Sequence, residues 1–213
     1  LNITGKMTIN ADNVTVRDCN VQSAEGILIN ESADNTLISY VDCRTIGVSS
    51  AVGWIIEYTH IKQSLADSLH VTSDGSRMVS NGIVRGCLFD TPTPPSEAHW
   101  DGIQIRGVNG FLMENTVIDA GPHQFPYNAA VYTEPANGGN SNMTFRYNWF
   151  FGGGYYCVHL GSASGTNSFI NNRLGGDLLP GGGWFRTDGV TSAHWQNTTG
   201  NVVDATGAPI SVF

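Results

Sequence analysis

The sequence predicts an all-β chain, wound as a single-stranded right-handed parallel β-helix of about seven coils. Three observations predict it. Short segments of alternating character recur along the whole chain, each recurrence holds two strands in a common register, and the composition favours strands and turns over helices. The 213 residues include 26 glycines, 40% are hydrophobic and only 13% are charged. With helix formers scarce, turns and strands must dominate.

The first strand series is "VRDCNV" from Val16, "IEYTHI" from Ile56, "VRGCLF" from Val84, "MENTVI" from Met113, "FRYNWF" from Phe145 and "INNRL" from Ile170. Cys19, Thr59, Cys87, Thr116, Asn148 and Asn172 share one register in it, the small polar column of an internal stack near a turn; Cys43 aligns there less readily. The second series is "GILI" from Gly26, "SLHV" from Ser68, "GIQI" from Gly102, "AVYT" from Ala130, "CVHL" from Cys157 and "WFRT" from Trp184. Its second and fourth residues are mostly aliphatic, so that side faces inward and the alternate residues face solvent. Counted from His70 through Gln104, Tyr132 and His159 to Arg186, successive members lie 34, 28, 27 and 27 residues apart, as coils with loops of unequal length require. An antiparallel sandwich would need tight hairpins between neighbouring strands, which this two-strand register does not supply. At roughly 4.8 Å per rung the rod is about 35 Å long.

Composition shifts nowhere abruptly, so residues 1–213 read as one domain. The chain begins at Leu1 without an initiator Met, so it reads as a fragment of a longer chain. The net charge of −8 is spread along the chain with no basic stripe, which excludes nucleic acid as a partner. No apolar run is long enough for membrane insertion. Cys19, Cys43, Cys87 and Cys157 contain no CxxC and are expected to be reduced thiols. No EF-hand or nonapeptide calcium repeat occurs, so no metal or other cofactor is expected. Five N-x-[ST] sequons, at Asn2, Asn13, Asn30, Asn142 and Asn197, read as turn composition.

Chemistry gathers on one outward strip. Leu28, His70, Gln104, Tyr132, His159 and Arg186 form one column, and Asn30, Thr72, Arg106, Glu134 and Asp188 form its neighbour. Asp67 and Asp101 occupy matching positions one coil apart ahead of the strip. Each either caps a turn or, with both ionised at about 5 Å, forces a cation between them or a raised pKa. The irregular segments Asp90 to Trp100, Gly121 to Asn128 and Phe151 to Tyr156 precede the second-series strands. They predict a groove wall lined by Trp100, Phe125, Tyr127, Tyr155 and Tyr156, with Phe125 the ring best read as core. Gly102 is expected to point outward, on the groove floor. Exposed aromatic faces suit sugar rings, so His70, Gln104, Arg106, Tyr132, Arg186, Asp188, Trp100 and Tyr127 are the candidate substrate-binding residues. Asp101, Glu134 and His159 are the candidate catalytic ones. Glycoside hydrolysis would pair Glu134 with Asp188 or Asp67 with Asp101. Lyase chemistry would set His159 or Tyr132 beside Arg106 or Arg186. The residues alone do not choose between these chemistries.

In its opening "LNITGKMTINADNVTVRDCNV", central "HWDGIQIRG" and closing "TGNVVDATGAPI", the chain resembles right-handed β-helix proteins of the pectate-lyase-like superfamily. It is most similar to the β-helix modules of actinobacterial phage minor tail proteins and their secreted bacterial relatives. That resemblance spans nearly the whole chain. It implies a module of the virion tail, or a secreted one, that meets host cell-envelope glycan and has the capacity to depolymerise it. It also admits a homotrimer or a place in a larger tail assembly. The alternatives are a secreted polysaccharide lyase or glycoside hydrolase, and a non-binding spacer of the virion tail. The calcium and arginine motifs of pectate lyases do not occur at matching positions here.

Overall fold

The computed structural model describes residues 1–74, 77–187 and 189–213. The chain is an all-β, right-handed parallel β-helix. Each full coil carries three strand segments rather than the two expected. The first face stacks Ile55–Glu57, Val79–Arg85, Val108–Glu114, Asn140–Arg146 and Ser168–Ile170. The second stacks His60–Lys62, Leu88–Asp90, Val117–Asp119, Trp149–Phe151 and Arg173–Gly175. Among the described residues eight strands make the third face, Met7–Ile9, Ile27–Ile29, Ile46–Ser49, Leu69–Thr72, Trp100–Arg106, Tyr127–Glu134, Tyr156–His159 and Gly183–Arg186.

The extra segment comes from a bend inside the first series. Asp18, Tyr40, Tyr58, Gly86, Asn115, Tyr147, Asn171 and Gly200 all have φ between 49° and 74°, and each turns the chain from the first face onto the second. A left-handed residue breaks the extended path and shifts the inward positions by one, so that Val84 is followed inward by Cys87 and Phe89 rather than by Gly86. Immediately after it comes the small polar column. Val41 and Asn201 join the six residues expected there, because Cys19 pairs with Val41 and the strand of Arg173 pairs with that of Val202. Cys43 belongs instead two positions on, paired with Val21 and Ile61 in the adjacent apolar column. The polar members are buried and serve one another: Asn148 Oδ1 accepts from Thr116 N, Asn172 Oδ1 from Asn148 N and Asn201 Oδ1 from Asn172 N, each at 3.0 Å. The turn therefore leaves few buried backbone donors without a partner.

Inward columns fill the rod with aliphatic and aromatic side chains. Ile27, Ile29, Leu69, Val71, Ile103, Ile105, Val131, Val158 and Leu160 are all buried on the third face, as their alternation predicts. Each such side chain contributes about 1.5–3 kcal/mol by leaving water, which offsets the conformational entropy lost in ordering the coils. At the corner entering that face alternation fails, and Ser68, Gly102, Ala130 and Cys157 form a buried column of small residues. Gly102 thus points inward, not onto the surface. A Cβ there would lie 2.4 Å from Ile118 Cγ2 and 2.5 Å from the Ala130 carbonyl.

All four cysteines are free thiols. Burial pushes Cys43 and Cys157 well above the usual thiol range and Cys87 up to about 11. The native protein is therefore expected to react with a thiol reagent only at the partly exposed Cys19, whereas denaturation without reductant should release four thiols. A denatured count below four would reveal a disulfide.

Candidate functional site

The third face holds the predicted strip together. Its pairing register places His70, Gln104, Tyr132, His159 and Arg186 in one outward column, on successive rungs. Gly47 lies between Leu28 and His70; its short alternating run, "IGVS" from Ile46, is the signal that could have revealed it. The neighbouring column of Ser49, Thr72, Arg106 and Glu134 is likewise in register. Asp188 lies outside the described residues, so its pairing with Glu134 has no geometry here.

Four contacts organise the strip. The Tyr132 and His159 rings stack with centroids 4.5 Å apart and planes 23° from parallel. Arg106 Nε and Glu134 Oε1 form an ion pair across adjacent rungs. The Arg186 guanidinium lies 5.3 Å from the centre of the Tyr156 ring. His70 Nδ1 meets Asp67 Oδ2 at 3.0 Å. Burial, with Glu134 and Asp101 nearby, raises the Tyr132 pKa against the opposing pull of Arg186 and Arg106.

Asp101 is the largest departure from the expected strip. It is 1% exposed and lies beneath the face rather than on it. Its Oδ1 accepts from Asn128 Nδ2 at 3.0 Å and from Ala129 N at 3.1 Å, while its own backbone N–H donates to Asp67 Oδ1 at 3.0 Å. Each aspartate thus caps the backbone of the next coil. Asn128 is the extra residue of an irregularity where Trp100 pairs with Tyr127 but Asp101 pairs with Ala129. Burial first, then the Asp67 carboxylate, raises the Asp101 pKa well above the usual carboxylate range. The expected conflict between the two carboxylates thus shows as a raised pKa at Asp101, with backbone donors on Oδ1 of each aspartate. Asp101 can act on a ligand only through its neighbours.

The aromatic wall is also rearranged. Trp100 is fully buried, donating Nε1 to Ser64 Oγ at 3.0 Å, and Tyr127 is 4% exposed with its hydroxyl donating to the Pro92 carbonyl at 3.2 Å. Their rings pack 5.0 Å apart inside the corner. Neither lines a groove, because each finds its polar partner in the interior. Phe125, expected in the core, is instead 86% exposed, and Tyr155 is exposed as well. Tyr156 is half-buried under Arg186.

The family described as "right handed beta helix region" matches residues 2–182. Among solved structures, an alginate lyase from Paenibacillus sp. str. FPU-7 is similar with a TM-score of 0.53 at 12% identity, over 90% of this chain and 76% of the lyase. The catalytic domain of a GH87 α-1,3-glucanase in complex with nigerose gives 0.35 at 10% identity, over 92% of this chain and 56% of that domain. This chain thus spans little more than half of the glucanase domain. No curated protein matches the sequence. The family match covers most of the chain, and the likeness to the lyase shows the same fold: the chain belongs to the right-handed β-helix family.

Proposed function

We propose that the chain is a glycan-binding β-helix module, of the kind carried by phage minor tail proteins, and that its third face holds host cell-envelope polysaccharide. The observation that carries this reading is the outward Tyr132–His159 stack, flanked by the Arg106–Glu134 pair and by Arg186 over Tyr156. Aromatic faces take the C–H side of a sugar, and the planar guanidinium and carboxylate groups beside them hydrogen-bond its hydroxyls. The alginate lyase supports the reading to this extent: a coil stack of the same fold serves a polysaccharide-active protein. Placement in a virion tail, with a homotrimer or a larger assembly around the rod, belongs to the same proposal.

Depolymerisation is the second reading, favoured by Tyr132, His159, Arg106 and Arg186 lying in one patch, as a base and a charge neutraliser would in a lyase. Two features weigh against it. The Tyr132 pKa is raised rather than lowered, and Glu134 is already committed to Arg106. Binding is therefore the better reading.

A glycan array scored for both retention and released reducing ends or unsaturated products tests it. Retention without products is expected. Tyr132→Ala and Arg106→Ala should each cost about 1–3 kcal/mol of affinity, with Asn2→Ala unchanged as a distant control. Strip variants that behave like the control in both assays would leave the spacer role, whereas products lost in Glu134→Gln or His159→Ala would establish the enzyme.

A further inference from the structure

The left-handed turn between the first and second faces carries side chains that its geometry disfavours. Asparagine, aspartate and glycine fill five of its eight positions, as φ near +55° demands. The other three hold Tyr40, Tyr58 and Tyr147, with φ of 53°, 49° and 58°, and each is about half exposed. A bulky residue in this conformation is strained, and none of the three rings is buried in the core, each lying about half open to solvent. Tyr40 and Tyr58 stack at 5.2 Å and 21°, and the Tyr58 ring lies across Gly86 of the next coil. After the small positions Gly86 and Asn115 comes Tyr147, about 14 Å from Tyr58 along the axis at three rungs. There a cavity of about 260 Å³ is lined by Asn115, Tyr147, Asn148, Trp149, Asn171 and Arg173. Trp149 is also an exposed large ring, with the Arg173 guanidinium 5.7 Å from its centre.

We propose that this turn edge is a second glycan site, in which Tyr147 and Trp149 hold one ring of a polysaccharide and the Tyr40–Tyr58 stack holds the same chain three rungs away. The walls are aromatic and the rim is amide and guanidinium, a set that recognises sugar C–H faces and hydroxyls together. Arg173 Nε is paired with Asp204 Oδ1 at 2.7 Å, so the cavity has no surplus positive charge and fits an uncharged hexose polymer. Small residues between the two aromatic ends leave the path along the rod open. The inference rests on the reading that the chain meets glycan, but not on the third-face strip.

Affinity electrophoresis in native gels containing dextran, laminarin or alginate, with thermal unfolding alongside, tests it. Tyr58→Asn and Tyr147→Asn relieve the turn, so each should raise the unfolding midpoint by about 2 °C while weakening retention in an uncharged gel. Trp149→Ala should weaken that retention about tenfold. Tyr132→Ala, on the third face, should leave the edge contribution intact. Edge variants that keep wild-type retention would overturn the second site, and loss in Tyr132→Ala alone would place all binding on the third face. Wild-type chain that no gel retains would overturn both sites. A midpoint that falls on Tyr→Asn exchange would show that the rings hold the coils together, overturning the argument from strain. A drop in sedimented mass of the edge variants with unchanged retention would show that the edge joins copies of the chain, and would overturn the glycan site.

Discussion

Gly102→Leu is expected to destabilise the fold by about 4 kcal/mol, lowering the unfolding midpoint by about 10 °C. The first added carbon already meets Ile118 Cγ2 at 2.4 Å and the Ala130 carbonyl at 2.5 Å, and leucine adds three more in the same direction. Ile118 is fully buried, and the Ala130 carbonyl belongs to the strand on the next rung. Neither can retreat without moving a coil, so the cost exceeds that of ordinary overpacking. Denaturant titration followed by circular dichroism reads the effect directly. Gly102→Ala should fall between wild type and leucine. A leucine variant with an unchanged midpoint would show that the position faces solvent after all.

Asp101 should separate into two effects on substitution. Asp101→Ala leaves Ala129 N–H and the Asn128 amide without their shared acceptor in a buried site, and is expected to cost about 3 kcal/mol. Asp101→Asn keeps an acceptor oxygen and removes the charge that burial and Asp67 penalise, so its stability at neutral pH should equal or exceed that of wild type. The native state holds the Asp101 proton more tightly than the unfolded chain, in which an aspartate titrates near 3.9. The stability this provides is fully present below that pH and is lost as pH rises through the higher native value. Wild type should accordingly lose stability through this group above about pH 4, and the asparagine variant should show a flatter profile. Denaturant midpoints from pH 4 to 8 test this. Parallel profiles for the two proteins would mean that Asp101 is ionised throughout, and an alanine variant as stable as wild type would remove its capping role.

Both substitutions lie at the corner where strand alternation stops, and that corner marks how far the sequence could be read. Along the third face Ile103, Ile105, Val131 and Val158 were legible as core, and His70, Gln104, Tyr132 and His159 as an outward column, because a strand has a period of two and parallel pairing copies it from rung to rung. The column of Thr116, Asn148 and Asn172 was legible for a related reason: a left-handed turn needs a buried side chain to accept the preceding coil's N–H, and short polar residues do so. Gly102, Asp101, Trp100 and Tyr127 were misplaced because they stand before the first alternating pair, where the chain bends inward and period two gives no direction.

Sequence alone determined the winding of this protein, the inward and outward sides of its strands and the residues that share a rung-to-rung column, since all three follow from a local pattern repeated at each coil. Tertiary structure decided which chemically eligible residues reach the surface. It buried Trp100 and Tyr127 on interior partners, sank Asp101 beneath the face as a cap on the next coil, exposed Phe125 and lifted Tyr40, Tyr58 and Tyr147 onto the turn edge. Burial of a corner or loop side chain depends on the coils above and below it, which come from sequence about thirty residues away. No local period encodes that distance.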